Sequence, residues 1–396
     1  MSLLESVPFF SPDPILGLLS LFSADTREHK VNLLIGEYFD EEKKFNGQQS
    51  VKLAEKLLLE QELDKKYLNI DGFKQYLEEY KKCIFDDDVK TDLIYGCQAL
   101  GGTGALSLAA LLFSACKTSR KVFISQENWA NHSRIFSQQG FDVSFFPYFN
   151  QQAKGFDLEN CLKVLNNAEK HSLVLLQGCC HNPTGVDPSK EEWLKILNLI
   201  KERELYCCFD LAYQGFGDSF EKDAWAVNLF VKELPFLLIA TCNSKNFSLY
   251  GERIGALFVS VSEKNDFDKV AAFIKEKVRG LYSSPPRRGA LIVQKILSDL
   301  NLKAMWKTEI DVIRNKIQSK RILLIEALRK EIGNDFDFLL KQKGFFSYLD
   351  FSSKQVLFLR EELAVYVTKG GRLNLAGIND KNLNYIVKAI KIAHAL

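Results

Sequence analysis

Net charge is nearly absent from this sequence: 52 lysines and arginines stand against 50 aspartates and glutamates, leaving +2 over 396 residues. With no excess of either sign, nothing calls for a nucleic acid or an anionic membrane as partner, and any anion chemistry has to be local. No apolar run approaches the length of a membrane span, and the N-terminal MSLLESVPFFSPDP has neither a basic n-region nor a cleavage-like end, so a cytoplasmic protein is expected. CxxC spacing is missing among the nine cysteines, an odd number that includes adjacent pairs at Cys179-Cys180 and Cys207-Cys208. That pattern suggests neither a disulfide framework nor a zinc site, no metal is expected, and a reducing compartment fits best. Internal repeats, low-complexity tracts and Pro/Gly/Ser-rich linkers are lacking as well.

What is present is an ordinary globular composition, 46% hydrophobic and 26% charged, in a chain long enough to bury a sizeable core. From about residue 100 to residue 260, β-rich runs alternate with helical patterns. The runs are KVFIS (121–125), VSFFPY (143–148), LVLLQ (173–177), LYCCFD (205–210), FLLIA (236–240) and ALFVSV (256–261). The helix candidates between them include 103–116, 157–169 and 188–203. This alternation predicts an α/β fold, a mostly parallel sheet wrapped by helices. Helical stretches follow at 267–280, 287–300 and 302–332. FFSYLD (345–350), a helix at 353–362, AVYVT (364–368), RLNLAG (372–377) and a helix at 379–395 then predict a smaller α+β domain. The boundary falls inside the long helical pattern near 310–320.

In open α/β sheets ligands gather beyond the carboxyl ends of the strands. Asp210 ends one apolar run, where a carboxylate either caps a helix or binds something positive. GCCHNPTG (178–185) follows another run as a turn of defined path, and GGTGAL (101–106) opens a helix in a manner that suits an anion or a plain turn. Lys245, just past FLLIA, is an amine held near the core, its pKa open to lowering by desolvation and by Arg253 in the same loop. Together these loops supply an amine, a strand-end carboxylate, Tyr213, Asn182, a Gly-Thr helix start and an arginine. Pyridoxal phosphate needs that set: a lysine for the imine, a carboxylate on the ring nitrogen, donors to the ring hydroxyl and an anion cradle.

The chain resembles the aspartate aminotransferase family, class I of the fold-type I pyridoxal-phosphate enzymes. The likeness runs through DPILGL (13–18), YLNIDG (67–72), GGTGAL, NWANH (128–132), GCCHNPTG, FDLAYQGF (209–216), SKNFSLYGERIGA (244–256), YSSPP (282–286) and GRLNLAG (371–377). It implies an N-terminal arm at 1–12, part of a small domain at 13–45, a large cofactor domain at 46–315 and the rest of the small domain at 316–396. By the same resemblance, Lys245 bonds the cofactor and shuttles the proton at Cα, with a pKa brought near the working pH, and Asp210 pairs with the pyridinium. Asn182 and Tyr213 donate to the ring hydroxylate. Trp129 lies on the ring, with His132 and His181 in support. Gly102, Thr103, Arg253 and Cys242 stand at the phosphate. Arg372 clamps the α-carboxylate with Asn182 and the Gly36 backbone. Arg279 and Tyr67 reach across from a neighbouring subunit, so a two-fold homodimer with shared sites is implied.

Two departures stand out. Cys242 replaces a usual serine, a weaker donor to phosphate, and Gln177 replaces a histidine behind the carboxylate, which alters how Asp210 is oriented. Phe39 and Phe45 give the entrance an apolar lip and Ser284 a small one, which favours large side chains by desolvation. The expected activity is transfer of the amino group of aspartate, and of aromatic amino acids, to 2-oxoglutarate by a ping-pong cycle. Its rivals are an aromatic aminotransferase with aspartate as minor substrate, a lyase or decarboxylase on the same scaffold, and a non-catalytic binding protein.

Overall fold

Runs of Val, Ile, Leu and Phe without polar alternation need cover on both faces, and the sheet they build has it. In a computed structural model, which describes residues 4–8, 14–38, 47–61, 64–117 and 119–396, seven strands make the central sheet. They are β1 (Ile94–Leu100), β2 (Lys121–Ser125), β3 (Asp142–Phe146), β4 (Leu173–Gln177), β5 (Tyr206–Leu211), β6 (Phe236–Cys242) and β7 (Ile254–Val261). Their order is β1-β7-β6-β5-β4-β2-β3. All neighbours are parallel except β7, which runs antiparallel to both β1 and β6. The loop 243–253 is too short to cross the sheet, so the chain has to turn straight back.

Alternation along each strand divides the core. Cys207, Phe209, Leu211, Leu237 and Ile239 enter one apolar cluster, while Cys208, Leu238 and Ala240 enter the cluster on the opposite face, as a period of two requires. Helix α1 (Gly101–Ala115) packs against β1, β6 and β7. It can sit low on the strand ends because Gly255 has no side chain: a Cβ there would lie 2.5 Å from the Thr241 carbonyl oxygen and 2.8 Å from the Gly101 backbone.

The predicted strands are observed to within a few residues. β1 has no counterpart in the reading, because Gly96, Cys97 and Gln98 interrupt its apolar run. Helices α2 (Lys264–Leu281), α3 (Arg288–Ser298) and α4 (Leu300–Ile332) follow. Asp299 caps α4 by accepting from the Asn301 and Leu302 amides, and the helix passes residues 310–320 without a break. Near the C-terminus Phe346–Tyr348 pairs antiparallel with Arg372–Asn374, and Val31–Asn32 lies parallel to Val365–Tyr366. The Asn374 amide donates to the Leu33 carbonyl at 2.9 Å, which brings the segment after Leu33 alongside Arg372.

Two buried side chains of α4 hold these parts in place. Trp306 stacks on Phe247 with centroids 4.4 Å apart and donates from Nε1 to the Asn246 carbonyl at 2.7 Å, next to Lys245. Arg321 is buried, and among the described residues no acid pairs with it. Its guanidinium donates to the carbonyls of Gly344 (2.6 Å) and Phe346 (3.2 Å) and to Ser347 Oγ (3.3 Å), and burial lowers its pKa to about 10. Trp306→Phe, which keeps the stack and loses the donor, is expected to cost about 1–3 kcal/mol, and Trp306→Ala about 3–5 kcal/mol. Thermal unfolding midpoints should fall in that order, and equal midpoints would refute the anchoring role.

Candidate active site

The loop carrying Lys245 is fixed before its side chain is considered. Past Cys242, the Asn243 amide donates to the Ile254 carbonyl at 3.1 Å, the Phe247 amide to Asn243 at 3.2 Å, and the Ser248 amide to Lys245 at 3.1 Å. Asn243 Oδ1 accepts from the buried Tyr76 hydroxyl at 2.6 Å. The Asn246 carbonyl takes a second donor, Gln48 Nε2, at 3.2 Å. Lys245 Nζ then lies 3.7 Å from Cys242 Sγ and 5.0 Å from the centroid of the Tyr213 ring.

The expected lowering of the Lys245 pKa is not what this geometry gives. Burial does pull it down, but Cys242, Tyr213, Asp210 and Tyr250 outweigh burial and raise it above the ordinary lysine value. Arg253, expected to supply the opposing cation, instead donates from Nη1 to Ser244 Oγ (3.3 Å) and the Tyr250 carbonyl (3.2 Å), and from Nη2 to Leu100 (3.5 Å). Burial would raise the Cys242 thiol, yet the Lys245 charge and hydrogen bonds from Ser244 and the Gly102 amide bring it below the usual cysteine value.

Asp210, buried near the end of β5, receives His132 Nε2 on Oδ2 at 2.8 Å, while its buried Oδ1 has no partner among the described residues. Gln177 lies beside Asp210 across β4 and β5, but it does not orient the carboxylate. Its side chain engages both backbone groups of one residue, accepting from the Asn182 amide at 2.9 Å and donating to the Asn182 carbonyl at 2.9 Å. The departure read as a change behind Asp210 is therefore a brace for the Asn182–Pro183 turn, and His132 holds the carboxylate. His181 is likewise a brace. It stacks on Tyr148 at 3.6 Å and bonds Ser125 Oγ (3.1 Å) and Thr184 Oγ1 (2.8 Å), and burial drives its pKa well below the histidine norm.

Arg372 is buried between three stretches of chain. Nη1 donates to Asn182 Oδ1 at 2.9 Å, Nη2 to the Leu34 carbonyl at 2.6 Å, and the guanidinium lies 4.3 Å from the centroid of Phe346. Its Nε is buried with no acceptor among the described residues, and burial lowers its pKa to about 10. Gly36 faces it across a cavity of about 200 Å³ lined also by Trp129, Asn182, Tyr213, Lys245, Tyr250, Phe346 and Glu37. A side chain at Gly36 would block this space, since a Cβ would lie 2.7 Å from Phe346 and 2.9 Å from the Tyr213 hydroxyl.

Beside the cavity, α1 begins at Gly101, and Gly102 lies against Cys242, with room for only 3.2 Å between an added Cβ and that residue's Cβ. The first amides of a helix lack intrahelical acceptors, so Gly102 and Thr103 open an anion-binding end. Arg253 borders it: a Cβ on Gly101 would lie 2.5 Å from Arg253 Nη2.

Some expected residues are elsewhere. Tyr67 is 93% exposed, and Arg279, exposed in the last turn of α2, donates to Ser283 Oγ at 2.5 Å. Neither lines the cavity, nor does Ser284, whose amide donates to the Tyr282 carbonyl at 2.8 Å. Phe39 and Phe45 lie outside the described residues. The sequence reading missed Glu37 and the Leu34 carbonyl, which no quoted motif contains, and Tyr250, which lies within SKNFSLYGERIGA but carries no role in that reading. Among the described residues, one group of metal-type ligands, Cys179, Cys180 and Asp223, clusters within 4.8 Å. Asp223 is already engaged there by the amides of Gly215, Gly217 and Asp218.

An unpartnered carboxylate oxygen for a ring N–H, a lysine over a tyrosine ring and a helix start for a phosphate fit pyridoxal phosphate on geometry alone. Residues 28–390 match the family described as aminotransferase class I and II. The chain is 38% identical to the aspartate aminotransferase of Escherichia coli K12 over 98% of each chain. It is 39% identical to the aromatic-amino-acid aminotransferase of Pseudomonas aeruginosa over 96% of each. The crystal structure of the aromatic-amino-acid aminotransferase from Burkholderia pseudomallei, covalently bound to pyridoxal phosphate, is similar with a TM-score of 0.95, 39% identity and coverage of 99% of this chain and 100% of that one. The aspartate aminotransferase from Saccharomyces cerevisiae cytoplasm is similar with a TM-score of 0.94 at 33% identity, covering 99% of this chain and 98% of that one. By sequence and by fold alike, the chain belongs to the aminotransferase class I and II family.

Proposed function

We propose that this chain is a pyridoxal-phosphate-dependent transaminase that takes the α-amino group from aspartate and from aromatic amino acids and passes it to 2-oxoglutarate in a ping-pong cycle. The observation that carries the reading is the setting of Lys245. Its amine shares a cavity with Arg372 and lies within electrostatic reach of Asp210; among the described residues, Arg372 Nε lacks an acceptor and Asp210 Oδ1 lacks a donor. Pyridoxal phosphate, when bound, supplies a carbonyl carbon that bonds amines and a ring that takes up the electron pair freed at the amino acid's Cα.

The chain's residues do the rest. Lys245 would hold the cofactor through its amine and, once free, would move the proton at the substrate's Cα. Asp210, steadied by His132, accepts from the ring N–H. Tyr213 and the Asn182 amide nitrogen donate to the ring hydroxyl, and Trp129 covers the ring. Gly102, Thr103 and Arg253 hold the phosphate, with Cys242 as a weak donor. Arg372 grips the α-carboxylate, opposite the Gly36 backbone. Arg279 and Tyr67 serve the neighbouring site in a two-fold homodimer, a role supported by their exposure. Closure of the residue 316–396 domain with 13–45 would expel water around Arg372. A cytoplasmic setting accords with nine free cysteines, and no described helix is long and apolar enough to cross a membrane.

Aspartate mixed with 2-oxoglutarate should yield oxaloacetate and glutamate, and tyrosine and phenylalanine should be turned over as well; negligible aromatic turnover would sink the dual reading. Lys245→Ala is expected to lower turnover by at least about 1,000-fold while circular dichroism stays unchanged. Arg372→Lys keeps the charge and loses the fork, so the KM for every amino acid should rise by about 100-fold.

The raised Lys245 pKa also has a kinetic sign. In the cofactor-free chain the amine is an ammonium at neutral pH, and only its neutral form can bond a carbonyl carbon. Uptake of pyridoxal phosphate, followed by its absorbance, should therefore accelerate by about tenfold per pH unit while the ammonium predominates. Cys242→Ser removes a group that holds that proton, so uptake at any fixed pH in this range should quicken; a slower variant would contradict the assignment.

A further inference from the structure

One charged group lining the cavity has no role in the reaction just described. Glu37 follows Gly36 and lines the same space as Trp129, Tyr250 and Phe346. The peptide that follows it is pinned at both its groups: the Glu37 carbonyl accepts from Asn374 Nδ2 at 3.0 Å, and the Tyr38 amide donates to the Tyr250 hydroxyl at 3.1 Å; Asn374 Nδ2 also reaches the Ile35 carbonyl. The side chain therefore projects from a fixed point on the wall.

Lys245 and Arg372, the two cations lining the cavity, do not pair with Glu37. Arg372 is engaged with Asn182 and Leu34, and the Lys245 ammonium faces Cys242 and Tyr213. Among the described residues, no donor or cation meets the Glu37 carboxylate. Burial alone raises its pKa, and its charge is felt by the Tyr250 hydroxyl. A half-buried carboxylate without a donor is an incomplete interaction, and here it lines the cavity that also holds Lys245 and Arg372.

Resting on the aminotransferase reading, we infer that Glu37 sets side-chain preference: its carboxylate accepts a hydrogen bond from a donor at the distal end of the substrate side chain, such as a phenol, and opposes a distal carboxylate. Discrimination of this kind combines an attractive contact with a repulsive one. A site built to accept a hydrogen bond rejects the analogue that lacks the donor, so tyrosine gains over phenylalanine. A dicarboxylate is still held by its arginine contacts but meets a like charge on the wall.

Three non-reacting acids separate these effects: 3-(4-hydroxyphenyl)propionate, 3-phenylpropionate and succinate, titrated calorimetrically into the holoenzyme. The wild type should bind the hydroxylated acid more tightly than 3-phenylpropionate, and Glu37→Val should erase that difference. Glu37→Gln, which removes charge at constant shape, should tighten succinate by about fivefold and leave 3-phenylpropionate within about twofold. The kcat/KM values for tyrosine, phenylalanine and aspartate should move in parallel with these affinities. A hydroxyl preference that survives in Glu37→Val, or succinate and 3-phenylpropionate shifting together in Glu37→Gln, would overturn the role of Glu37 alone. A wild type that binds none of the acids and transaminates no amino acid would overturn the functional reading, and this inference with it.

Discussion

Removing the Arg372 guanidinium from water is unfavourable unless its donors are met, and the way they are met organises the site. One nitrogen reaches Asn182 in the turn after β4, another reaches the Leu34 carbonyl near the N-terminus, and Phe346 covers the face. Three stretches far apart in sequence converge on one planar cation, and its Nε is left without an acceptor among the described residues. That free donor is what supports the proposed grip on a carboxylate. The supports lie one layer out: Gln177 fixes both backbone groups of Asn182, Asn374 ties the backbone of Ile35 and Glu37, and Arg321 gathers the carbonyls beside Phe346.

Lys245 is placed by a different logic. Its loop is held through backbone groups by Trp306, Gln48 and Ile254 and through the Asn243 side chain by Tyr76, so the Lys245 side chain itself is not needed to stabilise the turn. The groups around its amine stabilise an ammonium, against the direction burial favours. Cys242 belongs to that set, which gives the serine-to-cysteine departure a meaning beyond a weaker phosphate donor: its sulfur is coupled to the lysine proton.

Much of the architecture was legible in the chain. The apolar runs at 121–125 and 173–177 coincide with β2 and β4, because a strand covered on both faces has to be continuously apolar. β1 was hidden because Gly96 and Gln98 are chosen for tertiary reasons: a Cβ on Gly96 would lie 2.9 Å from Phe258, and Gln98 reaches the Phe73 amide and the Pro286 carbonyl. The residues read as a cofactor set converge, since strand-end loops gather wherever a parallel sheet forms. Glu37 and Tyr250 were invisible, because facing a cavity is a property of the folded wall and leaves no periodic trace.

Chain order and residue chemistry by themselves determined that amine, carboxylate, amide and arginine would stand at the ends of successive strands, since hydrophobic periodicity fixes the strands and connectivity fixes the order of their loops. Only the tertiary structure decided which of these groups touch. It gave Asp210 to His132 and assigned Gln177 to Asn182. It set Arg253 on Ser244 and left Glu37 facing the cavity with no pairing group among the described residues. Contacts and proton affinities depend on distances of a few ångströms between distant segments, and no local pattern encodes those.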